Sequence, residues 1–225
     1  MEGYDSLEDN TGRGILILYK EHLELSVIRT ITDVYSPALY LKVTKSSTLL
    51  HLGIVYRSPN ISKTDDIKLN KQLKLASKKL KNLIIYGDFN HPEIDWKSMN
   101  CSKGEDHQAT EFLHVVQDCK LDQLVTEFTH LKPNCKPRLI DLILTNNKDL
   151  INTPTMLPPL GKSHHAAILT KLNYSKENSS HQEKVKKYQV SKGNYKEINK
   201  ELLSVDWEFE IKQENVSVNV AWNNI

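Results

Sequence analysis

A chain of 225 residues, 39% hydrophobic and 26% charged, has room for one sizeable soluble domain with an appendage. Its formal net charge of +2 permits a nucleic-acid partner without demanding one, because dedicated binders are usually more basic. Three widely spaced cysteines, Cys101, Cys119 and Cys135, exclude a disulfide framework and a zinc knuckle and suit the reduced thiols of an intracellular protein.

The acidic, polar start, Met1-Glu2-Gly3-Tyr4-Asp5, lacks the character of a signal peptide, and no run of about 18 apolar residues could span a membrane. Nucleus or cytoplasm is the expected location. Residues 13–19, an apolar run after a glycine turn, read as a buried strand. Residues 39–44 and 49–56, separated by Lys45-Ser46-Ser47-Thr48, read as an antiparallel hairpin whose second arm ends before Pro59. From Ser62 the period changes. Ile67, Leu69, Leu73, Leu75, Ala76 and Leu80 recur near helical spacing with lysines between them; Ser62 or Thr64 can cap, and Asp65 and Asp66 suit the positive end of the dipole.

This helix leads into Leu83-Ile84-Ile85-Tyr86-Gly87-Asp88-Phe89-Asn90, a buried strand ending in a Gly-Asp turn. In extended backbone, residues two apart point to one face, so Asp88 and Asn90 project together from a strand tip. Asp88 there can bind a metal or hold a water, and Asn90 can donate to a phosphate oxygen; the same residues suit an ordinary polar turn equally well. After a turn-rich loop anchored by Ile94 and Trp96, residues 108–119 read as an amphipathic helix with Phe112, Leu113, Val115 and Val116 inward. Residues 121–125 are a short strand or link, and 129–137 a polar loop with two prolines. Residues 139–145 form a strand carrying Asp141 in an apolar run, where an unpartnered carboxylate is costly, which favours a functional role. Residues 151–157 and 166–170 are further strands. The second follows Ser163-His164-His165, whose adjacent imidazoles point to opposite faces, so at most one shares a site with Asp88. Residues 175–187 have linker composition, and 195–203 suit a short helix. Residues 206–209 are amphipathic, and 215–225 lack a clear core partner. The expected organisation is an α/β or α+β layered domain over residues 1–172 and a polar linker with a short helical tail over 173–225.

Taken in order, Val55-Tyr56-Arg57-Ser58-Pro59, Tyr86-Gly87-Asp88-Phe89-Asn90, Leu139-Ile140-Asp141-Leu142 and Ser163-His164-His165 resemble successive motifs of the endonuclease/exonuclease/phosphatase superfamily. With Asp95-Trp96 and Leu157-Pro158-Pro159-Leu160-Gly161, the chain is similar to the endonuclease domain of non-LTR retrotransposon polyproteins, whose downstream partner is a reverse transcriptase. The resemblance implies two stacked β-sheets flanked by helices, the four-layer fold of that superfamily. It implies hydrolysis of DNA phosphodiesters assisted by Mg²⁺ or Mn²⁺, and no small-molecule cofactor. Asp88 would orient or activate water and weakly ligate the metal, and Asn90 would contact phosphate. Tyr56, with Arg57 nearby, would bind the phosphoryl charge, Asp141 would support the site, and His165 would contact the scissile phosphate.

Two departures bear on activity. The family pattern Ser-Asp-His reads Ser163-His164-His165 here, and an imidazole at 164 cannot give His165 a carboxylate partner. The family also begins with a strand bearing a site Asn and a strand ending in a metal-binding Glu. Met1-Glu2-Gly3-Tyr4 aligns just after both, so the leading strands and the Glu ligand are missing from the pattern. The expectation is therefore an impaired or inactive endonuclease as this chain, with a non-catalytic nucleic-acid or protein binding remnant of the same fold as the alternative.

Overall fold

Short continuous apolar runs, buried on both faces, build the centre of the fold. The computed structural model describes residues 2–5, 14–34, 38–45, 48–173 and 194–204. In chain order they form β1 (Glu2–Asp5), β2 (Leu16–Tyr19), β3 (Glu24–Val27), α1 (Arg29–Thr32), β4 (Ala38–Lys45), β5 (Thr48–Tyr56), α2 (Lys63–Lys79) and β6 (Leu83–Asp88). Then come β7 (Ile94–Asp95), β8 (Asn100–Cys101), α3 (Gln108–Asp118), β9 (Asp122–Gln123), β10 (Asp141–Thr145), β11 (Thr155–Leu157) and β12 (Ala167–Leu169).

A six-stranded sheet of order β3-β4-β5-β6-β10-β9 holds the domain together. Its one parallel pair among the described residues is β5–β6, joined by the crossover helix α2 as parallel neighbours require. Ser62 caps α2 by accepting the Asp65 N–H at 3.1 Å, and lysines populate its outer face.

The alternation of strand side chains gives the sheet two buried faces. Tyr40, Val55, Leu83, Ile85, Leu142 and Leu144 pack on one side against Leu69, Leu73 and Ala76 of α2 and Phe112, Leu113 and Val116 of α3. Leu39, Leu41, Ile84 and Ile143 pack on the other side with Ile17 of β2, Met156 of β11 and Ile168 of β12. The second layer consists of the antiparallel pairs β1–β2 and β11–β12. Sheets stacked in this way, with helices flanking, match the α/β architecture read from the sequence.

Several elements are shorter than their apolar runs. Residues 151–157 are a strand only at Thr155–Leu157, because a 3-10 turn at Lys148–Leu150 precedes an isolated Ile151–Leu172 bridge. Gly87 does not begin a turn but lies inside β6, which runs on through Asp88. The short elements β3, α1 and the β7–β8 ribbon have no counterpart in the sequence reading. Residues 1–190 and 191–225 form two compact units, and in the second α4 (Tyr195–Ser204) buries no side chain. The hairpin turn at 46–47, the linker at 175–187 and the segments 206–209 and 215–225 lie outside the described residues. No described helix is long and apolar enough to cross a membrane.

Gly87 pairs with Val55 where the backbones come close. A Cβ at 87 would collide with the Val55 carbonyl oxygen and stand 3.0 Å from the Phe89 ring. Gly87→Ala is expected to cost about 1–3 kcal/mol, the usual range for overpacking. Gly104→Ala, where a Cβ meets nothing within 4 Å, should stay within about 0.5 kcal/mol of wild type. Urea denaturation of both variants checks this.

Candidate active site

The register of three neighbouring strands assembles the site. Tyr56 at the end of β5 pairs with Asp88 at the end of β6, and Asp88 pairs in turn with Asp141 at the start of β10. Neighbouring strands lie about 4.8 Å apart, so these residues form a row across the sheet. Counting by twos, Asp88 shares a face with Ile84, and Asp141 with Ile143, the face turned toward β2 and β12. A cavity of about 380 Å³ opens there, lined by Ile15 and Leu16 on one side, Ala166 and Ile168 on the other, and Tyr56, Asp88 and Asp141 between them.

His165 enters from the second layer. Its Nδ1 lies 2.9 Å and 3.1 Å from the two Asp141 carboxylate oxygens. One ligand atom each from Asp88, Asp141 and His165 fall within 4.8 Å of one another. Buried Thr129 fixes this meeting. Its hydroxyl accepts the Ile140 and Asp141 N–H groups at 3.2 and 3.0 Å, while its carbonyl accepts the Ala166 N–H at 2.8 Å. One residue thus ties the start of β10 to the residue after His165. The Ser163 hydroxyl accepts the His165 N–H at 3.0 Å, and the His130 ring packs edge-on to the His165 ring at 4.8 Å.

The Asp88 carboxyl is pushed up to about 6, first by burial and then by the Asp141 carboxylate, with His165 and Asn90 acting against both. A site holding two close carboxylates in low dielectric favours added positive charge. The two carboxylates are the oxygen donors that a hard divalent cation takes, and the cluster they form with His165 is the one group of three possible ligands among the described residues.

Three details differ from the sequence reading. Asn90 is not extended but left-handed, with φ of +49°, so it does not simply repeat the direction of Asp88. Its side-chain N–H donates to the Arg57 carbonyl at 2.8 Å, and its backbone N–H to the Asp88 carboxylate at 3.2 Å. Arg57 turns away from the row of Tyr56, Asp88 and Asp141. It is only 3% exposed, and its fork holds both oxygens of Asp66 at 2.7 Å, leaving the guanidinium inside the fold. His164 is exposed, and the carboxylate that partners His165 comes from Asp141, so the histidine at 164 does not leave His165 unsupported.

Sequence reasoning gave Asp66 a helix-dipole role alone and passed over Thr129 and His130. Asp66 gave a signal, since it lies on the same helical stripe as Leu69, Leu73 and Ala76, and all four are buried. Thr129 gave none, because its work lies in bonds to residues distant in sequence.

A stacked-sheet fold with a carboxylate pair and a histidine at one mouth defines the class of endonuclease/exonuclease/phosphatase proteins. Residues 50–169, more than half of the chain, match the family described as "Endonuclease-reverse transcriptase", and the chain belongs to that family. Among solved structures, the endonuclease domain of TRAS1, a telomere-specific non-LTR retrotransposon, has the same fold. It matches with a TM-score of 0.62 at 15% identity over 78% of this chain and 81% of that one. The 3′-5′ exonuclease NExo of Neisseria meningitidis matches with a TM-score of 0.46 at 14% identity over 68% of this chain and 71% of that one. No curated protein matches the chain.

A carboxyl raised in the folded state binds its proton more tightly there than in the unfolded chain. Asp88 therefore costs nothing below about pH 4, and stability is lost as pH rises through about 6. Asp88→Asn, which mimics the protonated form, should melt higher than the metal-free wild type at pH 8 and equal to it at pH 4. Thermal melts in chelator at both values test the sign; equal melting at pH 8 contradicts it.

Proposed function

We propose that the domain is a divalent-metal-dependent endonuclease that hydrolyses a DNA phosphodiester, nicking target DNA for a non-LTR retrotransposon whose longer polyprotein carries a reverse transcriptase. The convergence of Asp88, Asp141 and His165, from two strands of one sheet and the edge of another layer, carries this reading. The family description and the kinship in fold to the TRAS1 endonuclease domain support it.

Asp88 and Asp141 would hold Mg²⁺ or Mn²⁺, a fit consistent with the raised Asp88 carboxyl and with the habit of Mg²⁺ of binding one or two carboxylates plus substrate phosphate. When bound, the ion supplies stabilisation of charge on the phosphoryl oxygens. Asp88, ionised above about pH 6, orients the attacking water and takes its proton, and the Asn90 N–H keeps that carboxylate aimed. His165 turns Nδ1 to Asp141, which fixes the ring, and leaves Nε2 to donate to a scissile-phosphate oxygen. Tyr56, in the same row, adds a hydroxyl for the phosphate.

His164 favours a second reading, a non-catalytic module that binds DNA or a protein. With an imidazole at 164, the cluster holds two carboxylates where the Ser-Asp-His pattern supplies a third nearby.

A supercoiled-plasmid assay separates the two. The endonuclease reading expects nicks that require Mg²⁺ or Mn²⁺, rise between pH 5 and 7, and vanish in Asp88→Ala. Asp141→Asn, which removes a metal ligand as well as the partner of His165, should lower nicking by more than about 100-fold, beyond the loss typical of a supporting partner alone. DNA binding with no metal-dependent nicking selects the second reading. His164→Asp should raise the rate if the third carboxylate matters.

A further inference from the structure

The guanidinium of Arg57 is where four elements meet. Its Nε and Nη2 each donate at 2.7 Å to Asp66 in the first turns of α2. Nη2 also lies 3.4 Å from the Gln108 side-chain oxygen at the start of α3. Nη1 donates to the Asn90 carbonyl at 3.1 Å and reaches the Phe89 carbonyl at 3.5 Å. The Arg57 backbone grips the same turn from its other side: its N–H donates to the Asp88 carbonyl at 2.8 Å, and its carbonyl accepts the Asn90 side-chain N–H at 2.8 Å.

A buried ion pair is an uneconomical way to stabilise a fold, since apolar residues of similar volume often serve as well. The geometry of this pair points to another task. All of the fork's bonds beyond Asp66 and Gln108 go to carbonyls of the turn that carries Asp88 and Asn90. That turn includes a left-handed asparagine, which surrounding structure must hold in place. Asp66 fixes the fork, the fork fixes carbonyls 89 and 90, and the Arg57 backbone fixes the two ends of the turn. The planar fork is required, because a lysine ammonium cannot hold a carboxylate bidentately and reach two carbonyls at once.

We infer that Arg57, locked by Asp66, is a positioning residue that presets the Asp88–Asn90 turn for hydrolysis without touching substrate. The inference rests on the proposed nuclease reading of the site.

Two variants of the full chain test it. Arg57→Lys keeps a positive charge opposite Asp66, and the double variant Arg57→Met with Asp66→Leu replaces the pair by apolar side chains that keep the fold. Thermal melts confirm folding, Mn²⁺-dependent nicking gives kcat and KM, and hydrogen exchange reads the Asn90 amide. The expected result for both variants is kcat lower by about 10–100-fold, KM within about threefold, and Asn90 exchange at least about tenfold faster, as for loss of a supporting partner. Restored melting with wild-type kcat and unchanged exchange in the double variant would show a merely structural pair and overturn the inference. If the wild type itself nicks nothing, the nuclease reading fails. The clamp is then decided by Asn90 exchange alone, faster exchange supporting it and unchanged exchange overturning it.

Discussion

Asp88 and Asp141 stand directly opposite each other on neighbouring antiparallel strands, and the site is built around the burial of Asp88 and, after it, the repulsion between the two acids. Like charges in this position weaken a sheet, and burial makes the repulsion stronger. The fold lowers the cost locally, with the His165 imidazole against Asp141 and the Asn90 N–H against Asp88, but the Asp88 carboxyl is still held up near 6. A sequence selected for stability alone would not keep two acids there. Natural sites accept such costs where the chemistry needs them, and the strain here has the sign that a divalent cation would relieve.

The layered architecture makes the arrangement possible. The central sheet contributes a rigid row at the ends of β5, β6 and β10, while the second layer delivers His165 just before β12. The two layers need fixed registration for an imidazole from one to meet a carboxylate from the other. Thr129 supplies it through bonds to both, and the Tyr86 hydroxyl adds a contact to Thr170 Oγ1 at 2.8 Å. On the far face of the sheet, the Arg57–Asp66 pair holds the turn after β6 from the helix side. The clustered side chains are carried by strand ends and short turns, with supports on both faces of one sheet.

Much of this was readable from residue patterns. The hairpin of β4 and β5 and the helices α2 and α3 carry patterns long enough to declare themselves, β6 shows as a bounded apolar run, and Asp141 as a charge inside another. The short pieces do not. Glu24–Val27 alternates over only four residues, and the two-residue strands β7 and β8 have no period at all. Asp88, Asp141 and His165, which the fold brings together, stand out by their order along the chain, but their contacts do not. The sequence puts His164 next to His165, so the partner of His165 was sought there, whereas the fold brings it from 24 positions upstream. Arg57 stands beside Tyr56 and suggests a phosphate contact, yet the strand alternation that turns Tyr56 toward the row turns Arg57 the other way, into Asp66 and the core.

The account depends on the carboxylate row acting as a cation site, and calorimetric titration of the DNA-free chain with Mn²⁺ tests this directly. One ion should bind, more weakly at pH 5 than at pH 7.5 because Asp88 must give up its proton, and binding should be lost in both Asp88→Asn and Asp141→Asn. Mn²⁺ binding that is indifferent to both substitutions and to pH would place the ion elsewhere and contradict the account.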